Sequence, residues 1–234
     1  MKKLKIDQTF FQVFPECQLG ILSVSHIDNK RNLELSVEMI ERSRQIGEKF
    51  ISNKEFGTNS LVLQWKRAQE RFPGDESAKV GLEILLEKIH KGETIPSVNP
   101  LVNIIHSIAV EYGVNVWGVD SQSIVGNLTL VRSEGNELFV DQEGKEEYPE
   151  IAEFIYKDDL GAITRSWNWK QGCRSLISEN TKNANIILEQ LDRKGDLDTA
   201  IREMTFRIQQ LLGGYIRIKH LDYQHTWCSL GVNG

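Results

Sequence analysis

The sequence predicts an α+β protein in which helices cover a mixed set of β-strands. Two observations predict this. Apolar residues recur at helical spacing in several separate segments, and other segments alternate apolar and polar residues as strands do. Residues 33–92 contain consecutive helical patterns, which predict a helical insertion or layer on one side of the sheet. With 234 residues, 40% of them hydrophobic, we expect a single domain over residues 1–234.

In the first part of the chain, short strands are predicted over residues 10–14 and 19–27. Helices are predicted over residues 32–50, 60–72 and 76–91. The apolar residues at helical spacing in the first and third of these helices are Leu33, Val37, Ile40, Ile46 and Phe50, and then Val80, Ile84, Leu85 and Ile89.

The second predicted helix carries a run of cations, Lys66, Arg67 and Arg71. Such a run usually forms a solvated helix face, and it could also form a cationic strip for RNA. The residues alone leave both interpretations open.

The middle of the chain has clear local signals. Asn99 can cap a helix that begins with Pro100, and Gly113 ends that helix. A strand is predicted over residues 114–119. Strands over 127–132 and 137–140 would form a hairpin around Gly135-Asn136, followed by a surface loop over residues 141–153 and a short strand at 154–156.

Residues 163–169 alternate, so they predict a strand that places Ile163, Arg165, Trp167 and Trp169 on one face. An arginine between indoles can stack on a ring or hold an anion, and Asn168 can both donate and accept hydrogen bonds. The alternative is a core strand with snorkelling cations. After this strand, helices are predicted from Ser178 or Asn180 to Leu191 and from Asp196 to Leu211, and a closing strand over 215–221.

Composition limits the classes of function. The formal net charge of −5 argues against broad non-specific binding of nucleic acid, so an RNA contact is expected at a confined patch. No apolar run approaches the ~20 residues of a membrane helix, and no signal-peptide pattern follows Lys2, Lys3 and Lys5. We therefore expect a soluble, cytoplasmic protein with no membrane partner.

The three cysteines, Cys17, Cys173 and Cys228, are scattered and predict reduced thiols. His220, His225 and Cys228 are the one group that suggests a metal, but the spacing is loose and an ordinary surface strand is the preferred interpretation. The sequence has no glycine-rich phosphate loop, Gly-x-Ser-x-Gly elbow or His-Glu-x-x-His motif. We expect neither a cofactor nor a metal.

Three sequence blocks resemble a known family. They are Asn99 to Ile105 with Glu111-Tyr112-Gly113 and Trp117-Gly118-Val119-Asp120; Ile124 to Arg132; and Arg165-Ser166-Trp167-Asn168-Trp169 with Ser178 to Ala184. In this order they resemble the free-standing relatives of the editing domain in the β subunit of phenylalanyl-tRNA synthetase. The resemblance implies a layered fold with mixed β-sheets, a β-sandwich-like core and covering helices.

The resemblance also implies a pocket for tRNA, for its aminoacylated 3′ end or for a free amino acid. The family's domain hydrolyses tyrosine wrongly attached to phenylalanine tRNA. Its bacterial pattern has a His where this chain has Trp117 and a Glu close to Cys173, so neither acid/base residue is matched. An aminoacyl ester is already activated, and a positioned water with oxyanion donors could suffice for its hydrolysis.

Under this hypothesis the residue roles are as follows. Arg165 would contact the phosphate or the ring of the terminal adenosine, and Trp167, Trp169 and Trp117 would form pocket walls. Asn168 and Glu179 are the catalytic candidates. Asp120 or Glu179 could receive the substrate ammonium. The expected RNA-backbone contacts are Arg174, Lys182 and Lys170.

Two hypotheses from different classes result. The first is a trans-acting hydrolase of mischarged aminoacyl-tRNA, which is a deacylase and not a complete tRNA ligase. The second is a binding module for RNA or an amino acid without hydrolytic activity, and Trp117 in place of the family's His favours it.

Overall fold

The computed structural model describes residues 1–231, which form an α+β fold with two main sheets. The helices are α1 (Gln8–Val13), α2 (Leu33–Gly47), α3 (Ser60–Gln69), α4 (Gly81–His90), α5 (Pro100–Tyr112) and α6 (Leu197–Leu211). The strands are β1 (Lys3–Ile6), β2 (Gln18–Ser25), β3 (Asn115–Asp120), β4 (Leu128–Arg132), β5 (Phe139–Val140), β6 (Glu146–Glu147), β7 (Phe154–Asp158), β8 (Gly161–Ala162), β9 (Thr164–Arg165), β10 (Lys170–Gln171), β11 (Ala184–Gln190), β12 (Tyr215–Leu221) and β13 (Trp227–Ser229).

The two main sheets pack face to face. One sheet has the order β13-β1-β4-β7-β8 and is mixed, because β1 is parallel to β4 and its other pairs are antiparallel. The other has the order β12-β2-β11-β3 and is antiparallel. Trp117 of β3 and Tyr156 of β7 meet between them, with ring centroids 4.6 Å apart. The prediction of a layered α+β fold with mixed sheets is confirmed.

Helices α5 and α6 cover the outer face of the antiparallel sheet. A Cβ added at Gly20 would collide with Ile201 of α6, and one at Gly118 would lie 3.1 Å from Ile105 of α5. Glycine at these two sheet positions therefore permits close helix-to-sheet packing.

The predicted caps of α5 are confirmed, because the Asn99 side chain accepts from the Val102 amide at 3.1 Å and Gly113 is the C-cap.

Helix α2 packs against α5 with a face that includes Ile40, as predicted, but otherwise consists of small residues. Its buried residues are Ser36, Ile40, Ser43 and Gly47, whereas Leu33, Val37 and Ile46 are exposed. A Cβ at Gly47 would lie 3.2 Å from the Val110 carbonyl oxygen. The small residues let the two helices approach closely, and this requirement overrides the hydrophobic pattern. In α4, Ile84 is likewise exposed.

Several predicted elements are wrong. The strand predicted over residues 10–14 is instead the end of helix α1 with its C-cap Phe14, and the helix predicted through Leu191 is strand β11. β11 is buried on both faces, so it lacks the alternation that marks a half-buried strand. The predicted hairpin around Gly135 does not form, since β4 already pairs with β1 and β7, and β5 pairs with β6. The loop predicted over residues 141–153 contains β6.

Other expected elements are present. β3, β7, α6 and β12 correspond to the predicted segments, whereas β1 and β13 were not predicted. Within residues 1–231, no helix has both the length and the apolar composition needed to cross a membrane.

Candidate functional site

The segment with two tryptophans forms a tight hairpin of β9 and β10. Its turn places Ser166 at φ 46° and Trp167 at φ 67°, so the prediction of one extended strand is wrong. The Glu153 carboxylate accepts from the Ser166 amide, and the Trp167 amide donates to the Phe154 carbonyl at 2.5 Å. Positive φ at two consecutive side-chain-bearing residues costs energy and is typical of functional sites.

The turn separates the residues of the hairpin into an inner and an outer set. Trp167 and Asn168 point into the protein and are 0% and 7% exposed. Both donate to the carboxylate of Glu189 on β11, Trp167 through Nε1 at 2.9 Å and Asn168 through Nδ2. Burial of Trp167 agrees with the core alternative that the sequence had left open.

Glu189 is fully buried and receives hydrogen bonds from three further side chains. Tyr156 Oη donates at 2.8 Å, Asn115 Nδ2 at 3.0 Å and Trp117 Nε1 at 3.4 Å. We call Glu189 and these five donors the Glu189 cluster. Burial raises the pKa of Glu189, and the hydrogen bonds from Tyr156, Asn115 and the other donors oppose that effect. All five groups donate, which fits an ionised carboxylate at the centre.

The outer side of the hairpin carries a different set of charges. Arg165 donates to Glu147 at 2.9 Å through Nη1 and to Glu153 at 3.1 Å through Nη2. Lys170 donates to Glu147 at 2.6 Å. The hydrogen bond from Lys170 is the main reason that the pKa of Glu147 falls to about 2. The cations of this hairpin are therefore held and neutralised by carboxylates of the same chain.

A cavity of about 1410 Å³ opens between this hairpin, the β6 region and the segment that joins α3 to α4. We call it the α4 cavity. Its charged lining residues are the cations Lys66, Lys79, Lys145, Arg165 and Lys170 and the carboxylates Glu70, Asp75, Glu76, Glu83, Glu146, Glu147 and Glu150. Because carboxylates outnumber cations, the cavity attracts a cationic group more readily than a phosphate.

Glu83, in the first turn of α4, differs from the other carboxylates of this cavity. It is only 5% exposed, yet no group in residues 1–231 donates a hydrogen bond to it. Burial raises its pKa, and nearby Lys66 and Lys79 partly oppose that effect. A carboxylate with a raised pKa in a cavity is a candidate general base or cation ligand.

Glu83 does not stand out in the sequence, because an acidic residue in the first turn of a helix is ordinary. The sequence nevertheless contains a feature that could have identified Glu83. Glu83 lies three residues after Val80 and three before Leu86, on the buried face of α4. A carboxylate on an otherwise apolar face requires an explanation.

The structure places the remaining predicted site residues outside the cavity lining. Arg174 forms two hydrogen bonds to Asp158, at 2.7 and 2.8 Å. Asp120 accepts from Thr181 Oγ1 at 2.6 Å. Glu179 and Lys182 are exposed, and Glu179 Oε1 lies 3.4 Å from Lys30 Nζ. Trp169 is buried, and its ring centroid lies 5.6 Å from that of Phe72.

Of the predicted binding residues, only Arg165 and Lys170 line the α4 cavity. The predicted catalytic candidate Asn168 belongs to the Glu189 cluster instead. In the part of the chain that the structure describes, no group of three or more His, Cys, Asp or Glu side chains is arranged to hold a metal ion.

Comparison with known proteins gives three findings. The family model of the B3/4 domain matches residues 75–205, which is more than half of the chain. No curated protein sequence matches the chain. A crystal structure of an N-terminal fragment of the phenylalanyl-tRNA synthetase β-subunit from Pyrococcus horikoshii is similar, with a TM-score of 0.49 and 12% identity over 92% of this chain and 50% of that one. The chain thus spans about half the length of that fragment.

Proposed function

Because the chain belongs to the B3/4 domain family, we propose that it hydrolyses the ester bond of mischarged aminoacyl-tRNA in trans, with the aminoacyl end in the α4 cavity. The observation that carries the proposal is the carboxylate of Glu83. Its side chain is mostly buried and lines the cavity, and no group in residues 1–231 donates a hydrogen bond to it. A partly desolvated carboxylate at a cavity wall, without donors from the fold, is available to a water molecule or a ligand.

In the proposed reaction, Glu83 takes a proton from a water molecule as the water oxygen attacks the ester carbonyl carbon. The new carbon–oxygen bond forms, the bond to the ribose oxygen breaks, and the proton passes to that ribose oxygen. Burial raises the pKa of Glu83, which makes it a stronger base than an exposed glutamate.

The cavity also offers charge for the rest of the substrate. Asp75 lies on its wall, and hydrogen bonds from Ser77 lower the pKa of Asp75, so this carboxylate stays ionised near neutral pH. It can attract the free ammonium of the aminoacyl group. Lys66 lines the same cavity and supplies positive charge near Glu83, where an oxyanion would develop.

A second candidate function is a binding module for an amino acid or an aminoacyl group. One observation favours it: Arg165 and Lys170, the predicted binding cations that line the cavity, are already paired with carboxylates of the chain. Under this alternative, Glu83 receives the ammonium of the ligand and no bond is broken.

The test is hydrolysis of several labelled aminoacyl-tRNAs by the purified protein and by Glu83→Gln. Loss of a general base should lower the rate about 10²-fold or more. Glu93→Gln is the control, because Glu93 is an exposed glutamate just after α4 that pairs with Lys88 at 3.3 Å outside the cavity.

The two functions predict different outcomes. Ester loss above buffer that disappears in Glu83→Gln supports the hydrolase. If the wild-type protein cleaves none of the aminoacyl-tRNAs but binds a free amino acid, and Glu83→Gln weakens that binding, the binding module is correct and the hydrolase is not.

A further inference from the structure

Helix α3 separates the α4 cavity from a second concavity of about 270 Å³. Lys66, Gln69 and Glu70 lie on the cavity side. The opposite concavity, which we call the α3 groove, is lined by Phe14, Ser60, Gln64, Arg67, Ala68, Arg71 and Leu191. Successive residues of a helix turn by about 100°, so the α3 residues of the two sets lie on different faces of the helix.

The charge of the α3 groove is opposite to that of the α4 cavity. Its lining includes two arginines and no carboxylate. Arg67 is exposed and has no ion-pair partner within residues 1–231. Asp192 lies next to the groove, but its carboxylate accepts from Gln64 Nε2 at 2.9 Å and from the Lys194 amide at 2.9 Å. Both donors are neutral, so Asp192 keeps its charge, and the two arginines with Asp192 leave a net charge of 2 − 1 = +1 at the groove, in a chain that is acidic as a whole.

Arg71 is held in place before any ligand binds. Its guanidinium carbon lies 4.7 Å from the centroid of the Phe14 ring, and Nη2 donates to the Val13 carbonyl. Arg67 lies in the last turn of α3 and Arg71 follows just after the helix ends, and both line the groove. Two guanidinium groups in one groove can each donate a pair of hydrogen bonds to neighbouring phosphates of an extended strand.

We propose that the α3 groove binds the phosphate backbone of an RNA strand whose end enters the α4 cavity across α3. This inference rests on the proposed function for the identity of the RNA as tRNA. Two of the cations that the sequence predicted as RNA contacts, Lys170 and Arg174, are already paired with Glu147 and Asp158. Arg67 and Arg71, two of the three cations whose role the sequence left open, are the RNA contact, and Lys66 lines the α4 cavity.

The experiment measures binding of unacylated, fluorescently labelled tRNA by anisotropy, so it does not depend on hydrolysis. Arg67→Gln/Arg71→Gln should weaken binding about 10-fold or more at low salt. It should also reduce the slope of log K against log salt by about 0.7 for each phosphate that the protein no longer neutralises. The control is Arg42→Gln/Arg202→Gln, which removes two exposed arginines from α2 and α6.

Arg71 packs on Phe14, so the double variant could lose stability. Arg67→Gln alone avoids this, because Arg67 does not pack on that ring, and it should still reduce the salt slope by the amount expected for one phosphate. An acidic peptide, poly-glutamate, is measured in parallel. Equal weakening of peptide and tRNA binding would identify a protein-docking surface and overturn the proposal.

The failure of this proposal is distinct from that of the proposed hydrolysis. If tRNA affinity and salt slope are the same in the wild type and in both variants, the groove does not bind RNA, whatever the hydrolysis assay gives. If the arginine variants lose tRNA binding while the wild type cleaves no ester, the groove assignment holds and the hydrolase assignment fails.

Discussion

Glu189 and Glu83 are both buried glutamates whose pKa is raised by burial, and their surroundings are opposite. Five side chains donate hydrogen bonds to Glu189. No group in residues 1–231 donates one to Glu83. Burial alone therefore does not identify a functional carboxylate. The carboxylate whose donors are supplied by the fold serves the architecture, and the one left without donors is available to a ligand.

The locations of the two carboxylates agree with this distinction. The Glu189 cluster joins β3, β7 and β11 to the hairpin of β9 and β10, so one charge fixes four parts of the fold. Glu83 lies at the wall of the α4 cavity, and no side chain in residues 1–231 is held by a hydrogen bond to it. Removing each charge should therefore change stability with opposite sign.

The largest effect is expected for Glu189→Ala. The substitution leaves five buried donors without an acceptor, and breaking such a buried charged network costs roughly 3–5 kcal/mol. Urea denaturation followed by tryptophan fluorescence measures the loss. Glu179→Ala, which removes an exposed glutamate, should change stability by less than about 0.5 kcal/mol. A Glu189→Ala protein as stable as the wild type would contradict the structural role of Glu189.

A smaller effect is expected for Tyr156→Phe. The ring stays packed between the sheets, but the hydrogen bond of 2.8 Å to Glu189 is lost. Losing one hydrogen bond to a charged group costs about 1.5–3 kcal/mol, and four donors remain here, so we expect the lower end. Thermal or urea unfolding measures the change, with Tyr223→Phe, an exposed tyrosine, as the control. No difference between the two variants would show that the donors of the cluster are not needed individually.

Acid should loosen the outer side of the hairpin. The pKa of Glu147 is about 2 in the folded protein and 4.5 as the ordinary value, chiefly because Lys170 donates to it. A lowered folded pKa contributes stability that is complete above pH 4.5 and is lost as pH falls towards 2. Because Lys170 is 30% exposed, we expect about 1 kcal/mol after solvent screening.

The measurement for this prediction is the urea midpoint between pH 5 and pH 2.5 for the wild type and Glu147→Gln. The variant should start less stable and show a flatter dependence on pH, because it has no carboxylate to protonate at this position. Parallel curves for the two proteins would assign the acid sensitivity to other carboxylates.

Local signals in the sequence predicted the elements that depend on local chemistry. Asn99, Pro100 and Gly113 defined α5, since a cap, a first-turn proline and a left-handed glycine act within a few residues. β11 was mistaken for a helix because its residues are buried on both faces and show no period of two. Strand β4 was assigned to the wrong hairpin because its partners are distant in sequence.

The candidate site was predictable only in part, because its environment also depends on residues that are distant in sequence. Arg165 was found because its neighbours are unusual, and it does line the cavity. Glu189 and Glu83 look ordinary in the sequence, and their environments are made by residues far along the chain. Trp167 was predicted on the same face as Arg165, but the turn at positive φ separates them.

The smallest effect, and the one of opposite sign, is expected for Glu83→Gln. Burial raises the pKa of Glu83 above its ordinary 4.5, so the folded state disfavours the charged form. A group with a raised folded pKa contributes stability below the unfolded pKa, and that contribution is lost as pH rises through the folded pKa. The uncharged glutamine avoids the loss, and after solvent screening we expect a gain of up to about 0.5 kcal/mol near neutral pH.

The sign is tested with urea midpoints of the wild type and Glu83→Gln at pH 4 and pH 7.5. The two proteins should have similar midpoints at pH 4, and the variant should be more stable at pH 7.5. A variant that is less stable at pH 7.5 would mean that Glu83 is held by favourable interactions in the fold, as Glu189 is. In that case the absence of donors around Glu83 would no longer support a role in binding or hydrolysis.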